Sequence, residues 1–328
     1  MNDAGFTHSM VPGFKGMIDD QGRWYTKAGE LIGGVPNLST YSRVVMNPKT
    51  DPGASWEFKA IKPDGSYAYY YTAAFRRQQS DAKFENVAQL MKSIKGIRAK
   101  WMTHVKKFDI ENKLDVCAVV LEVLFSNAAR VGSQPGRGVG TLLVKNASQT
   151  QAGVNLAYIG KDSIPTKHII KRSTSIEHAK LVDALLELMA DKKPSEFLFT
   201  YEARGVRKRV PPSMVNQAFK HFGAPADVTV HKLRTCRGTS LFKILLDKDE
   251  ERRPPTTEKD AIKRYRDMTE QVGKLLNHKR GVGSANEKVT GATAAISYID
   301  SSLQLSLFAR WGFRPPTALE KLLHKQEE

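Results

Sequence analysis

Five side chains in this sequence are of types that could together move a phosphoryl group. They are Arg130 in NAARVGS, Lys161 in YIGKDSI, Arg234 in HKLRTCRGTS, His278 in LLNHKRGVG and Tyr298 in ISYID. Phosphoryl transfer without a metal needs cations on the non-bridging oxygens, a proton donor for the leaving oxygen and an oxygen nucleophile in line with it. The chain supplies each of these parts. Singly, each residue has a plainer reading: a helix-end arginine complements the dipole, a turn lysine is solvated, a lone histidine is structural and a tyrosine on a helix is core. It is their combination that points to chemistry. The sequence carries no GxxxxGK[ST] loop, no HExxH and no carboxylate cluster at metal-holding spacing, so neither a metal nor a nucleotide cofactor is expected.

Charge narrows the partner. Lys and Arg total 51 against 34 acids, a net +17, which suits a polyanion whose counterions are released on binding. Nucleic acid is the first candidate. An anionic membrane is the rival, but no run approaches the roughly 18 apolar residues of a membrane span. The start, MNDAGFTHSMVPGFKG, lacks the basic-then-apolar order of a signal peptide. Two cysteines, Cys117 and Cys236, are too few and too dispersed for a disulfide framework or a zinc site, so a reduced intracellular protein is expected.

The elements that must position these residues fall into two groups. Up to about Arg77, turn residues separate the β-rich runs SRVVM, SWEFKAI and SYAYYYTAAF, and IKPDGSY reads as a hairpin. The period then changes: Phe84, Val87, Leu90, Met91 and Ile94 recur at helical spacing after a Ser or Asp cap. LDVCAVVLEVLFSNAARVGS reads as a buried helix stopped by Gly132, with Arg130 at its end. AGVNLAYIGKDSIPTKHIIKRS reads as strand, turn and strand, with Lys161 at the tip. IEHAKLVDALLELMADKK (ended by Pro194), SMVNQAFKHFG and TSLFKILLDKD read as helices, and the charged KDEERRPPTTEKDAIKRYRDM as a solvated connector. The expected fold is α+β: a small β-rich N-terminal domain over residues 1–78 and a mainly α-helical catalytic domain with a β-hairpin over 79–328.

At these boxes the sequence resembles the type IB DNA topoisomerases. YIGKDSI resembles the family's hairpin with its lysine, KLRT and LLNHKRG its second-arginine and histidine boxes, ARVGS its first-arginine site, and ISYID followed by LFARWG its tyrosine box and next helix. DAKFENVAQLMKSIKGIRAKW is similar to the family's opening helix, and the N-terminal region resembles its small β domain more weakly. The resemblance implies a tyrosine recombinase/type IB topoisomerase-like fold. It further implies that Tyr298 attacks a backbone phosphate to leave a 3′-phosphotyrosyl link, that Lys161 protonates the leaving 5′ oxygen, and that Arg130, Arg234 and His278 hold the non-bridging oxygens. Supercoiled duplex DNA would then be relaxed without ATP or metal.

Some positions depart from the family's pattern. His231 stands where the family often carries a lysine, and Ser301 where it usually has proline. The stretch from His278 to Tyr298 is longer than in compact bacterial and poxvirus members and far shorter than in the nuclear enzymes, so GVGSANEKVTG is expected to be mobile and to deliver Tyr298 when DNA binds. His231, Lys232, Tyr69 and Tyr71 are candidate DNA contacts; for the two tyrosines, half-buried sheet aromatics remain an equal reading. The two domains are expected to clamp the duplex. The alternatives are a tyrosine recombinase, whose HxLR box HKLRTCRGTS resembles, and a non-catalytic architectural DNA-binding protein. A monomer is expected, acting on double-stranded DNA with no membrane partner, in a bacterial cytoplasm at the nucleoid or inside a virus-infected host cell.

Overall fold

The computed structural model describes residues 6–7, 11, 14–47 and 55–317. The chain divides into two compact units, Met1–Lys83 and Phe84–His324.

The first unit holds two antiparallel three-stranded sheets, β1 (Phe6–Thr7), β2 (Met17–Asp19) and β3 (Trp24–Tyr25), then β4 (Arg43–Met46), β5 (Trp56–Ile61) and β6 (Tyr67–Tyr71). Alternation along β5 sends Phe58 and Ala60 into a core with Val44, Ile18 and Trp24. The Trp24 ring centroid lies 4.7 Å from that of Phe14 and 5.2 Å from that of Phe58, in tilted and edge contacts. The expected hairpin is present. Lys62 and Ser66 pair at 2.9 Å, and Asp64 accepts from the Ser66 amide and hydroxyl at 2.9 and 2.7 Å.

α1 (Ala73–Lys106) begins seven or more residues before the expected Ser or Asp cap. Thr72 provides the reason: its hydroxyl accepts from the Phe75 amide at 3.2 Å, so the chain leaves β6 and enters the helix at once. AAF, read as strand, is helix.

The second unit is organised around α2 (Lys113–Ser126), in which every residue from Asp115 to Leu124 is buried. Asn112 caps its start by accepting from the Leu114 amide at 3.0 Å. Its end corrects the sequence reading. The helix stops at Ser126, where Ala128 turns left-handed (φ 45°), the Ala128 amide donates to Phe125 O at 3.3 Å and the Ala129 amide to Leu124 O at 3.0 Å. That is a Schellman closure with alanine in glycine's place. Arg130 therefore lies in irregular chain beyond the helix. Gly132 (φ 81°) serves a close backbone approach instead, since a Cβ there would lie 2.7 Å from Gly138 Cα.

β7 (Ala147–Thr150), β8 (Gly153–Ile159) and β9 (Pro165–Lys171) form one antiparallel sheet that contains the expected hairpin. α3 (Ile176–Met189) follows. β10 (Thr200–Ala203) and β11 (Val206–Arg209) form a second hairpin, which the sequence reading missed. Then come α4 (Pro212–His221), α5 (His231–Glu250) and α6 (Glu258–Leu275). The charged connector is thus mostly helix: only residues 251–257 join α5 to α6, and Thr257 caps α6 by accepting from the Asp260 amide at 3.2 Å. β12 (Lys279–Arg280) and β13 (Lys288–Val289) pair, and α7 (Ala292–Ser297) and α8 (Ser301–Trp311) complete the unit. Among the described residues no helix is long and apolar enough to cross a membrane.

Of the two acidic groups in α2, Asp115 and Glu122, Glu122 is the more deeply buried. Its carboxylate accepts from Arg98 at 2.7 and 3.0 Å, from the Trp101 indole at 2.9 Å and from the Ser126 hydroxyl. Removing this carboxylate strands the buried Trp101 indole and the Arg98 guanidinium, which is 31% exposed, so Glu122→Ala should cost about 1–3 kcal/mol in urea unfolding. An unchanged stability would mean that Glu122 is not tied to Trp101 and Arg98 as described.

Candidate active site

One cleft of the second unit, about 370 Å³ in volume, is lined by Arg130, Lys161, Arg234, His278 and Tyr298 together with His231. The five candidate residues come from five separate segments. Arg130 arrives from the irregular chain after α2, where its carbonyl accepts from the Val139 amide at 2.9 Å. Lys161 is exposed at the turn between β8 and β9, which is tightened by Asp162 and Ser163 in left-handed conformation (φ 58° and 57°) and by a 2.8 Å bond from the Gly160 amide to Ile164 O. Arg234 lies in the first turn of α5 and His278 just past α6. Tyr298 occupies the break between α7 and α8, not the middle of a helix.

Arg234 is 5% exposed, and its terminal nitrogens donate to the carbonyls of Ala128 and Leu276. One of them also stands 3.2 Å from His278 Nε2, and the guanidinium carbon lies 5.2 Å from the Tyr298 ring centroid. Burial first, and then the charge of Arg130, lowers the Arg234 pKa, while Tyr298 offsets part of this. His278 is pushed down to about 3 by burial, Arg234 and Arg130, in that order, so it is neutral. Because Arg234 is always a donor, Nε2 of His278 is the acceptor and the proton rests on Nδ1. Among the described residues, neither that Nδ1 nor Arg234 Nε has a hydrogen-bond partner. Two buried N–H groups beside the cleft thereby lack a partner among the described residues.

Tyr298 is held by its backbone. Its carbonyl accepts from the Thr239 hydroxyl at 3.0 Å, its amide donates to Ala294 O at 2.9 Å, and its ring centroid lies 5.0 Å from that of His278. A Cβ on Gly238 would meet the Tyr298 carbonyl oxygen at 2.9 Å, which explains glycine at that turn of α5. The segment expected to be mobile forms a short hairpin, closed by Lys279–Arg280 against Lys288–Val289 and by a Lys279–Glu287 ion pair at 2.6 Å. Tyr298 is 6% exposed, with its ring beside His278 and the Arg234 guanidinium.

Lys232 is half-buried beside His231 but does not line the cleft. Tyr69 and Tyr71 belong to the first unit, on the exposed face of β6, with rings stacked 6.1 Å apart. The sequence reading missed Tyr158 and His168, which line the cleft from β8 and β9 and meet at 3.2 Å. It also missed Asn277, whose amide donates to Pro165 O and Thr166 Oγ1 at 3.2 and 3.1 Å and ties the His278 segment to β9. Strand alternation could have put Tyr158 on the inward face, but only the ladder register brings His168 to it. Asp162 is the acidic side chain among the lining residues.

Residues 72–304 match the family described as eukaryotic DNA topoisomerase I, catalytic core. The chain is similar to the solved XerH site-specific recombinase bound to difH substrate in a pre-cleavage complex, at 14% identity over 66% of this chain and 52% of that one, with a TM-score of 0.36. For XerH bound to palindromic difH in a post-cleavage complex the values are 14%, 65%, 51% and 0.36. The chain spans about half the length of those structures. No curated protein matches it.

Two tests follow from the geometry. The folded pKa of His278, about 3, lies below the ordinary 6.5, so the unfolded chain takes the proton first as pH falls. The stability that His278 contributes is complete above pH 6.5 and drains between 6.5 and 3, by about 1.4 kcal/mol per pH unit. Urea unfolding from pH 7.5 to 5 should show a shallower acid loss in His278→Gln, and equal slopes would contradict this. Gly238→Ala should displace Tyr298 and slow any reaction of its hydroxyl by about 10-fold or more while leaving DNA affinity intact.

Proposed function

From the premise that the chain belongs to the eukaryotic DNA topoisomerase I catalytic-core family, we propose that it relaxes supercoiled duplex DNA by cutting and resealing one strand through Tyr298, without ATP or metal. The observation that carries this reading is the single cleft holding Arg130, Lys161, Arg234, His278 and Tyr298. Arg130 and Arg234 take the non-bridging oxygens of a backbone phosphate, with a planar fork that lysine cannot copy. The Tyr298 oxygen attacks phosphorus as the bond to the 5′ oxygen breaks. Lys161 gives that oxygen a proton, and the phenolic proton passes to solvent. His278 donates from its unpaired N–H to one of those non-bridging oxygens, where charge builds in the transition state.

One phosphodiester replaces another, so bond energy is kept in the enzyme–DNA link and religation reverses the same steps. While the 5′ end is free it swivels, and torsion of either sense relaxes. The +17 charge favours the polyanionic duplex. His231, on the same wall, adds a phosphate contact that strengthens as it protonates, and Lys232 beside it supplies another. Tyr69 and Tyr71 are further candidate contacts, through their exposed faces. Cutting one strand requires one tyrosine, which a monomer supplies.

Plasmid relaxation in EDTA without ATP tests the proposal. The native protein should relax the plasmid and Tyr298→Phe should not, while both bind it with an affinity that falls steeply from 50 to 200 mM salt. Relaxation by Tyr298→Phe, or none by either protein, would refute it.

A further inference from the structure

The Tyr158–His168 pair is the part of the cleft wall that the five-residue scheme leaves idle. Tyr158, on β8, is 7% exposed. His168 comes from β9 diagonally across the ladder, whose register sets Tyr158 opposite Thr166 and Leu156 opposite His168. The phenol oxygen and His168 Nε2 meet at 3.2 Å, their ring centroids lie 5.8 Å apart, and both residues line the cleft with Arg130, Arg234 and Lys161.

Burial pushes the Tyr158 hydroxyl up to about 12. Burial and then Arg234 push His168 down to about 4. Both groups are therefore neutral at neutral pH. A neutral imidazole carries one N–H and one bare nitrogen, and the partner of one nitrogen decides the other. A protonated phenol is the natural donor to Nε2, which leaves the proton on Nδ1, the nitrogen that the Tyr158 bond does not occupy. In a wall of cations awaiting an anion, that tautomer offers a donor, whereas the other would turn a lone pair toward a phosphate oxygen. A neutral donor also stabilises added charge without worsening the repulsion among Arg130, Lys161 and Arg234 when no DNA is bound.

Resting on the reading that this cleft takes a backbone phosphate, we propose that His168 is a further catalytic residue whose Nδ1–H donates to an oxygen of the phosphoryl group in transfer, and that Tyr158 is a positioning residue that fixes this tautomer. The asparagine amide nitrogen falls near the place of Nδ1, and the glutamine amide nitrogen near that of Nε2, so the two amides separate the roles of the two nitrogens.

Single-turnover cleavage of a duplex that cannot be resealed provides the test. His168→Ala and His168→Gln should cleave about 100-fold more slowly, as expected for loss of one aimed donor, and His168→Asn should recover to within about 5-fold of native. Tyr158→Phe keeps the ring and should slow cleavage by about 10-fold through the loosened tautomer. Nitrogen-15 NMR of the DNA-free native protein should find the His168 proton on Nδ1. Asparagine as slow as alanine, native rates in all three His168 variants, or a proton on Nε2 would overturn the inference. A native protein that cleaves nothing defeats the underlying reading instead, and the NMR spectrum then decides the tautomer alone.

Discussion

A guanidinium that is 5% exposed must find oxygen for its N–H groups inside the protein, and Arg234 finds it in the carbonyls of Ala128 and Leu276, 106 and 42 positions away. Both carbonyls lie at helix C-termini, the first just past α2 and the second at the end of α6, where main-chain oxygens lack helical partners and the helix dipole is negative. The cation's desolvation is offset by groups that would otherwise be orphans themselves. The same arrangement explains why α2 must stop at Ser126: continued to Gly132, it would carry the Ala128 carbonyl into its own ladder and leave Arg234 without it. Arg130 then emerges into the cleft from the chain beyond the helix, and His278 follows two residues after Leu276.

Electrostatics make this a site that favours an anion. Burial and then the charge of Arg130 lower the Arg234 pKa, His278 and His168 are held neutral beside it, and buried N–H groups on Arg234 and His278 have no acceptor among the described residues. Unpaired buried donors and crowded cations cost stability in the free protein. An anion placed among them removes both costs together, and a transition state with more charge than the ground state removes more. Position is kept by ordinary packing: Gly238 admits the Tyr298 carbonyl, and Thr239 bonds to it.

Much of this fold is legible in the sequence because the signals are local. The period-two runs around SWEFKAI, the Pro-Asp-Gly turn and the long apolar stretch of α2 each announce their own element. Boundaries were lost where a tertiary or capping contact decides them. Thr72 starts α1 early with one side-chain bond, and an alanine ends α2 in a conformation that sequence statistics assign to glycine. The charged stretch before α6 hid its helix because its capping signal, Thr257, follows two prolines. In the cleft, the five candidates were legible as residue types in order. Tyr158, His168 and Asn277 were not, since their placement depends on strand register and on a contact between segments 111 positions apart.

The most direct test of the account is to stop the reaction with detergent partway through and identify the covalent adduct by peptide mass spectrometry. The account predicts a DNA strand joined through its 3′ phosphate to the peptide containing Tyr298, with a free 5′ hydroxyl on the other fragment. An adduct on any other residue, a 5′ linkage, or relaxation that proceeds with no adduct would contradict it.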